Sequence, residues 1–270
     1  GYGATLLATS SLKERGIEVK SVAIDTKNLT MQAPQYIRFG KDGQRYDVRA
    51  REAIADIRQA APIRLNGIEG DLHQATGDIT RLKAKWGTFD QKKDMLELYE
   101  AIDIQGGNGL SARLTRATVW TKESRVVSEE PMQAEMEAGS IRANRMELTG
   151  KARAAAFRGD VQVVIRSNQS TKAQDGGKPE PKAKAATKAP ALPGLQASSG
   201  EPIRVRAEEL DVDDKAKNAF FRNSVRAWQG DAALQAPEMD ILYEGRASPG
   251  EAAAGKEQAA DQARLKTIKA

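Results

Sequence analysis

Along much of the chain, apolar residues fall two apart, pause at a polar or small-residue turn, and resume two apart. The pattern is clearest where it is written twice. Residues 141–163 read IRANRMELTGKARAAAFRGDVQV and residues 205–227 read VRAEELDVDDKAKNAFFRNSVRA, and at a gapless offset of 64 they share 8 of 23 positions. Ile141-Arg142-Ala143 returns as Val205-Arg206-Ala207, Phe157-Arg158 as Phe221-Arg222, and Val161 as Val225. Period-two alternation is what a strand with one buried face requires, and a turn between two such runs makes a β-hairpin. A hairpin spelled twice predicts a repetitive β fold.

The rest of the chain reads the same way. Val19, Val22, Ile24, Leu29 and Met31 alternate brokenly around the polar turn Asp25-Thr26-Lys27-Asn28, predicting two short strands that Pro34 ends. After a turn at Lys41-Asp42-Gly43, Tyr46, Val48 and Ala50 alternate strictly with polar neighbours. Leu65, Ile68 and Leu72 follow, then Leu82, Ala84 and Trp86, then Leu96, Leu98, Ile102 and Ile104. Gly77-Asp78, Asp90-Gln91-Lys92-Lys93 and Gly106-Gly107-Asn108-Gly109 supply turn chemistry between them. Leu110, Ala112 and Leu114 predict one strand and residues 118–121 and 126–127 two more, before Pro131 breaks the run. Alanine flanked by strand recurs at Ala50, Ala84, Ala112 and Ala143, about thirty residues apart each time. The expected architecture is all-β: an antiparallel meander that curls, because neighbouring strands twist by roughly 20°. Such a sheet hides its apolar face by closing on itself or by packing two halves together, as a jellyroll does.

Composition divides this meander. Residues 168–200 turn to Lys, Ala, Pro, Gln, Gly and Ser and read as a flexible linker with a typical span near 30 Å. It separates a β-jellyroll over 17–167 from hairpins over 201–245, where Leu234, Met239, Ile241 and Tyr243 extend the second copy. Residues 246–270 read as a mobile loop followed by the start of a further strand, since Ile268-Lys269-Ala270 echoes Ile141-Arg142-Ala143, so the second jellyroll is expected to be incomplete. Residues 1–16 are taken as a tail or the remnant of a membrane-proximal segment.

Charge and chemistry exclude more than they assign. Lys and Arg number 42 against 37 acidic residues, and aromatics make up 5%, which argues against a nucleic-acid binder with clustered basic and aromatic residues. There is no cysteine, so neither disulfides nor thiolate metal sites arise. His73 is the only histidine and sits on the polar side of a strand alternation, leaving no catalytic triad but one built on it. Asp211-Val212-Asp213-Asp214 lacks the glycine and distant glutamate of a calcium loop and reads as a hairpin turn. The glycine-rich stretch at 106–109 joins two strands, with no helix N-terminus to cradle phosphate. Trp86, Trp120 and Trp228 are too scattered for a stacking platform and read as interior or rim residues. No metal, no cofactor and no enzyme activity is expected.

A curled apolar meander can hold an elongated apolar ligand inside and recruit strands at its edges. With that in view, residues 17–166 resemble the periplasmic domain of the LptC family of lipopolysaccharide transport. The resemblance rests on Ser21-Val22-Ala23-Ile24-Asp25, Leu29-Thr30-Met31 with Pro34, and Lys41-Asp42-Gly43 with Tyr46 and Ala50. It continues at Gly87 to Asp90, Gly139-Ser140-Ile141-Arg142-Ala143 with Met146, and Phe157-Arg158-Gly159-Asp160-Val161. Residues 201–245 resemble the opening of the LptA family, at Pro202-Ile203-Arg204-Val205 with Ala207, Leu210, Asp213, Phe220, Val225, Gln229-Gly230-Asp231 and Leu234.

The resemblance implies an OstA-like β-jellyroll, periplasmic and associated with the inner membrane. It would accept lipopolysaccharide from the inner-membrane ABC transporter complex and pass it along a β-jellyroll bridge, in outer membrane biogenesis. Acyl chains would ride in the interior, where each buried CH₂ contributes about 0.8 kcal/mol against water. The interior candidates are Val48, Leu65, Leu72, Leu82, Leu98, Ile102, Ile104, Ile141, Phe157 and Val161, with Val205, Phe221 and Val225 in the second block. An LptA-type jellyroll is the implied partner, joined by strand addition. The exit edge would be Val161, Val163 and Ile165, and the receiving edge Ile203 and Val205, close enough through the linker to pair within one molecule. The alternative is a structural β-repeat spacer, or adhesin-like module, with a dry packed core.

Overall fold

A computed structural model of the chain describes residues 17–39, 45–58, 61–73, 77, 79–106, 109–120, 122–123, 125–149, 154–166, 201–244 and 264–269. The expectations for residues 1–16, for Lys41-Asp42-Gly43, for the linker 168–200 and for 246–263 lie outside these. Every regular element among the described residues is a strand. They are β1 Ile17–Glu18, β2 Ser21–Ile24, β3 Asn28–Gln32, β4 Gln35–Phe39, β5 Arg45–Asp56, β6 Ile63–His73, β7 Ile79–Asp90, β8 Met95–Gln105 and β9 Ser111–Trp120. Then come β10 Arg125–Ser128, β11 Met132–Met136, β12 Gly139–Ala143, β13 Arg145–Thr149, β14 Ala154–Ile165, β15 Ile203–Asp213, β16 Asn218–Gln229, β17 Ala232–Glu244 and β18 Arg264–Lys269.

The 18 strands form one antiparallel sheet in which each rung pairs with the next along the chain. Short strands occur in collinear couples. β3 and β4 both pair with β5, β10 and β11 both with β9, and β12 and β13 both with β14. Each couple is one rung snapped at mid-length, at Ala33-Pro34, Glu129 to Pro131 and Asn144. The sequence reading took Pro34 and Pro131 as strand ends. Here they are corners, because proline costs no ladder bond where the strand turns.

The unbroken rungs bend at the same level. Register shifts fall between Tyr99 and Ile102, Arg158 and Val161, Arg206 and Glu209, and Arg222 and Val225. Positive φ marks these bends at Gly67, Glu100, Ala101, Gly159, Asp160, Asn223 and Ser224. A line of corners thus folds the sheet into two layers. The first layer carries β2, β3, β10, β13, β18 and the far halves of the long strands. The second carries β1, β4, β11, β12 and the near halves. β9 is continuous across both, where the sequence had predicted two strands.

Aspartate closes the hairpins at the free end of the first layer. Asp25 Oδ1 accepts from the N–H groups of Lys27 and Asn28, Asp90 Oδ1 from Lys92 and Lys93, and Asp213 Oδ1 from Lys215 and Ala216. Each is a side chain mimicking a backbone turn.

Candidate functional site: the apolar interior and its edges

The inner faces of the two layers meet in a single hydrophobic cluster reaching from Ile68 to Ile241. Strand alternation places one residue in two on this face, and the corner resets the count so that both layers point inward. In the second layer, beside the corner, Ala50 pairs with Ile68 and Ile68 with Ala84; Ile102 pairs with Leu114, Leu114 with Met132, and Met132 with Ala143. In the first layer, Leu65, Gly87, Leu98 and Ala117 are successive partners, as are Met146, Phe157, Leu210, Phe221 and Met239. Small and large residues alternate along Ala50, Ile68 and Ala84 and along Leu65, Gly87, Leu98 and Ala117, which lets facing layers interdigitate there, while the row from Met146 to Met239 is large throughout. Gly87 shows how closely: a Cβ there would stand 2.9 Å from Ile68 Cδ1 of the opposite layer and 2.5 Å from the Glu97 carbonyl oxygen.

Of the interior residues expected from sequence, Leu98, Ile102, Val161, Val205, Phe221 and Val225 are at most 2% exposed, and Ile141 and Phe157 are also buried. Val48, Leu65, Leu82 and Ile104 are half-buried and pack against the cluster. Leu72 is half-buried and stands apart from it, one pair further toward the free end of the second layer, where it faces Tyr46 and Thr80. Sequence reasoning missed the alanines Ala53, Ala117, Ala155 and Ala207, all buried in the same rows. Their signal was the register: Ala155 and Ala207 are two residues from Phe157 and Val205, and Ala53 and Ala117 are the cross-strand partners of Leu65 and Leu98.

The edges expected to meet a partner meet each other. β14 and β15 pair antiparallel with Val161 opposite Ala207, Val163 opposite Val205 and Ile165 opposite Ile203, so the sheet runs unbroken from one block into the other. The outer surface of this junction is clasped by charge. Arg158 Nη2 donates to Asp211 Oδ1 at 2.6 Å and Nη1 to the Leu210 carbonyl at 3.1 Å, while Arg222 bonds the other Asp211 oxygen and approaches Glu209. Arg206 reaches Asp160 at 2.7 Å, beside the corner. Three outermost strands remain without a neighbour on one side among the described residues: β1 and β2 at the start and β18, with the adjacent half of β17, at the end.

The remaining polar candidates stay outside the interior. His73 is half-buried at the end of β6, opposite Arg45 and Ile79. Asp211 lies within β15, and the turn begins two residues later at Asp213. The tryptophans lie on outer faces rather than in the core: Trp86 stacks on Tyr99 with ring centroids 4.1 Å apart, and Trp120 receives the Arg125 guanidinium at 4.7 Å. Trp86 Nε1 donates to Glu100, and Lys85 with Trp86 holds the Glu100 carboxyl below its ordinary range. Partial burial, helped by Glu97, raises the Tyr99 hydroxyl above its usual value. No group of three or more His, Cys, Asp or Glu able to hold a metal occurs among the described residues, and no helix there is long and apolar enough to cross a membrane.

A family model described as lipopolysaccharide-assembly, LptC-related, matches residues 3–166. The chain belongs to the LptC family. The LptC match ends one residue beyond β14, so β15 to β18 lie past it and extend the LptC sheet without interruption. An uncharacterized protein of Rhizobium meliloti (strain 1021) is 35% identical over 52 residues, which is 19% of this chain and 28% of that protein. The chain thus spans under a third of the length of this curated relative.

Proposed function

We propose that this LptC-family chain is a non-enzymatic periplasmic component of lipopolysaccharide transport. In this reading it accepts lipopolysaccharide from the inner-membrane ABC transporter complex and passes it along the β-jellyroll. The acyl chains lie between the two layers while the sugars stay wet. The observation that supports it is the inner row that continues from Phe157 through Leu210 to Phe221 across the β14–β15 junction, giving one apolar track through both blocks. Because β14 and β15 occupy each other, an LptA-type jellyroll adds its strand at β17 and β18, not at β14.

Residues at the centre of the track are closed off, so lipid entry requires the layers to part about the corners. That closure is also what favours the second reading, a spacer with a dry packed core near crystal density. Benzophenone groups at Ile104, Val163 and Leu234, which are half-buried on the inner face, decide between them. Photolysis with lipopolysaccharide should label all three positions and spare the outward neighbours Asp103 and Gln162. Silence at all three in a folded protein rejects the conduit and leaves the spacer.

A further inference from the structure

The outer face of the second layer carries a row of side chains registered strand by strand. From β9 onward it reads Arg113, Gln133, Arg142, Gln162, Arg206, Arg226 and Gln235, each the cross-strand partner of the next. Earlier in the sheet the same row reads Arg49, Glu69, Lys83 and Asp103, alternating in sign. A carboxylate thus stands at every second strand up to β8, and beyond it glutamine takes that place. Arg206 and Arg226 are directly opposed, and Asp160 Oδ1 accepts from Arg206 Nε at 2.8 Å, which offsets one of the two charges. Arg142 and Arg206 hold equivalent positions in the duplicated hairpin, so the charge recurs with the fold.

The setting is suited to phosphate. Arg113, Gln133, Arg142, Asp160 and Gln162 line a groove of about 640 Å³ beside the corners. Guanidinium forks bind phosphate oxygens two at a time, whereas the glutamine amides are already engaged, Gln133 Nε2 donating to Glu135 at 3.3 Å and Gln162 Nε2 to Asp160 at 3.0 Å. In the next row out, Arg204 lies opposite both Val164 and Trp228. Asp103 at 3.4 Å from Arg113 and Asp160 at 2.7 Å from Arg206 leave Arg142, Arg204 and Arg226 as surplus charge on this face among the described residues.

We propose that the surplus arginines of this face dock the chain on the surface of an anionic phospholipid bilayer, headgroup phosphates seating on Arg142, Arg204 and Arg226 and Trp228 lying at headgroup level. A tryptophan beside guanidiniums on a flat face is the composition of a membrane interface, where each basic residue adds to the attraction. An acidic protein would be met as well by charge, but gives no role to Trp228 and Val164. The surface is independent of any cargo in the interior.

The test is co-sedimentation of the whole chain with vesicles of phosphatidylcholine alone and of phosphatidylcholine with phosphatidylglycerol. The chain should bind the second and not the first. Replacing Arg142, Arg204 and Arg226 together by Gln should weaken binding about a hundredfold, some fivefold per charge. A charge-matched control, with Arg64, Lys92 and Lys215 changed to Gln, should stay within about threefold of the parent, since those charges belong to the first layer and its end turns, away from the row. Circular dichroism and thermal melting of each variant separate lost binding from lost fold. Equal binding to both vesicles, or an equal loss in the control, overturns the proposal. Binding to polyglutamate without binding to vesicles also overturns it, in favour of an acidic protein partner.

Discussion

Phe157 and Phe221, 64 residues apart in the chain, stand on either side of Leu210 in one inner row, each its direct cross-strand partner. Both are buried, so truncation to Ala should cost about 3–5 kcal/mol apiece. The two share Leu210 as a neighbour, and the double variant should depart from additivity by about 0.5–3 kcal/mol. Urea denaturation of the two single variants and the double one measures this. Strict additivity would mean that the row does not act as one packed unit.

Gly87 is predicted to reject even a methyl group. A Cβ there meets the Glu97 carbonyl oxygen at 2.5 Å, which cannot yield without disturbing the β7–β8 ladder. Gly87→Ala should destabilise by about 1–3 kcal/mol through overpacking. Gly77→Ala is the contrast: its φ of +92° disfavours a side chain, but nothing lies within 4 Å, so the loss there is confined to the backbone. Thermal melts showing the two variants equally impaired would refute the packing argument.

Ala101 pays for its corner. It sits at φ +49° without the freedom of glycine, next to Glu100 at φ +57°. Ala101→Gly should therefore stabilise the chain by up to about 1–2 kcal/mol, the reverse of the usual effect of glycine in a strand. An unchanged or lowered melting temperature would show that the corner is not strained.

Acid should loosen the first hairpin. The Asp25 carboxyl is held below its ordinary value, first by the Asn28 N–H and then by that of Lys27. A folded-state pKa below the unfolded one, which is about 3.9, contributes stability that is fully present above the unfolded value. That contribution is lost as pH falls through the folded one. A carboxyl carbon titration by NMR should give Asp25 a midpoint below that of an unfolded aspartate, and Asp25→Ala should abolish this part of the acid response. A midpoint at or above the unfolded value contradicts the turn as described.

The clasp at the junction should make the two blocks cohere without a covalent link. A protease site placed between residues 168 and 200, once cut, should leave residues 17–166 and 201–270 co-eluting in gel filtration. Arg158→Met, which removes the bonds to Asp211 and the Leu210 carbonyl, should weaken that association. Separation of the cut blocks in the unsubstituted protein would rule out a continuous sheet in solution.

Much of this fold was legible because strands declare themselves by alternation, but the interior was only partly so: Ile68, Leu114, Met132, Met146, Leu210 and Met239 are buried and were not among the interior residues expected. The corners were not legible. On paper the steps from Leu98 to Ile102, Phe157 to Val161 and Phe221 to Val225 are four residues, a helical interval, where a strand should step by two. Two residues at positive φ absorb the difference in each case, Glu100-Ala101, Gly159-Asp160 and Asn223-Ser224. Nothing in Glu, Ala or Ser announces a left-handed backbone; Gly, Asn and Asp do so. Leu65, Ile68 and Leu72 were irregular in the same way, because Gly67 at φ +59° interrupts the count. The outward tryptophans escaped for a related reason: without the corner, parity assigns Trp86 to the face of Ala84, whereas the bend turns it to the other side.

Because every rung bends at the same level, the molecule has a constant profile and no natural length. Inserting or removing a hairpin alters reach by about 4.8 Å per strand and leaves the cross-section as it was. The duplicated hairpin is what such growth leaves behind in a sequence. A chain built this way is a ruler whose graduations can be added one pair at a time, and its span can be reset by evolution, or by design, without reworking the interior that the span carries.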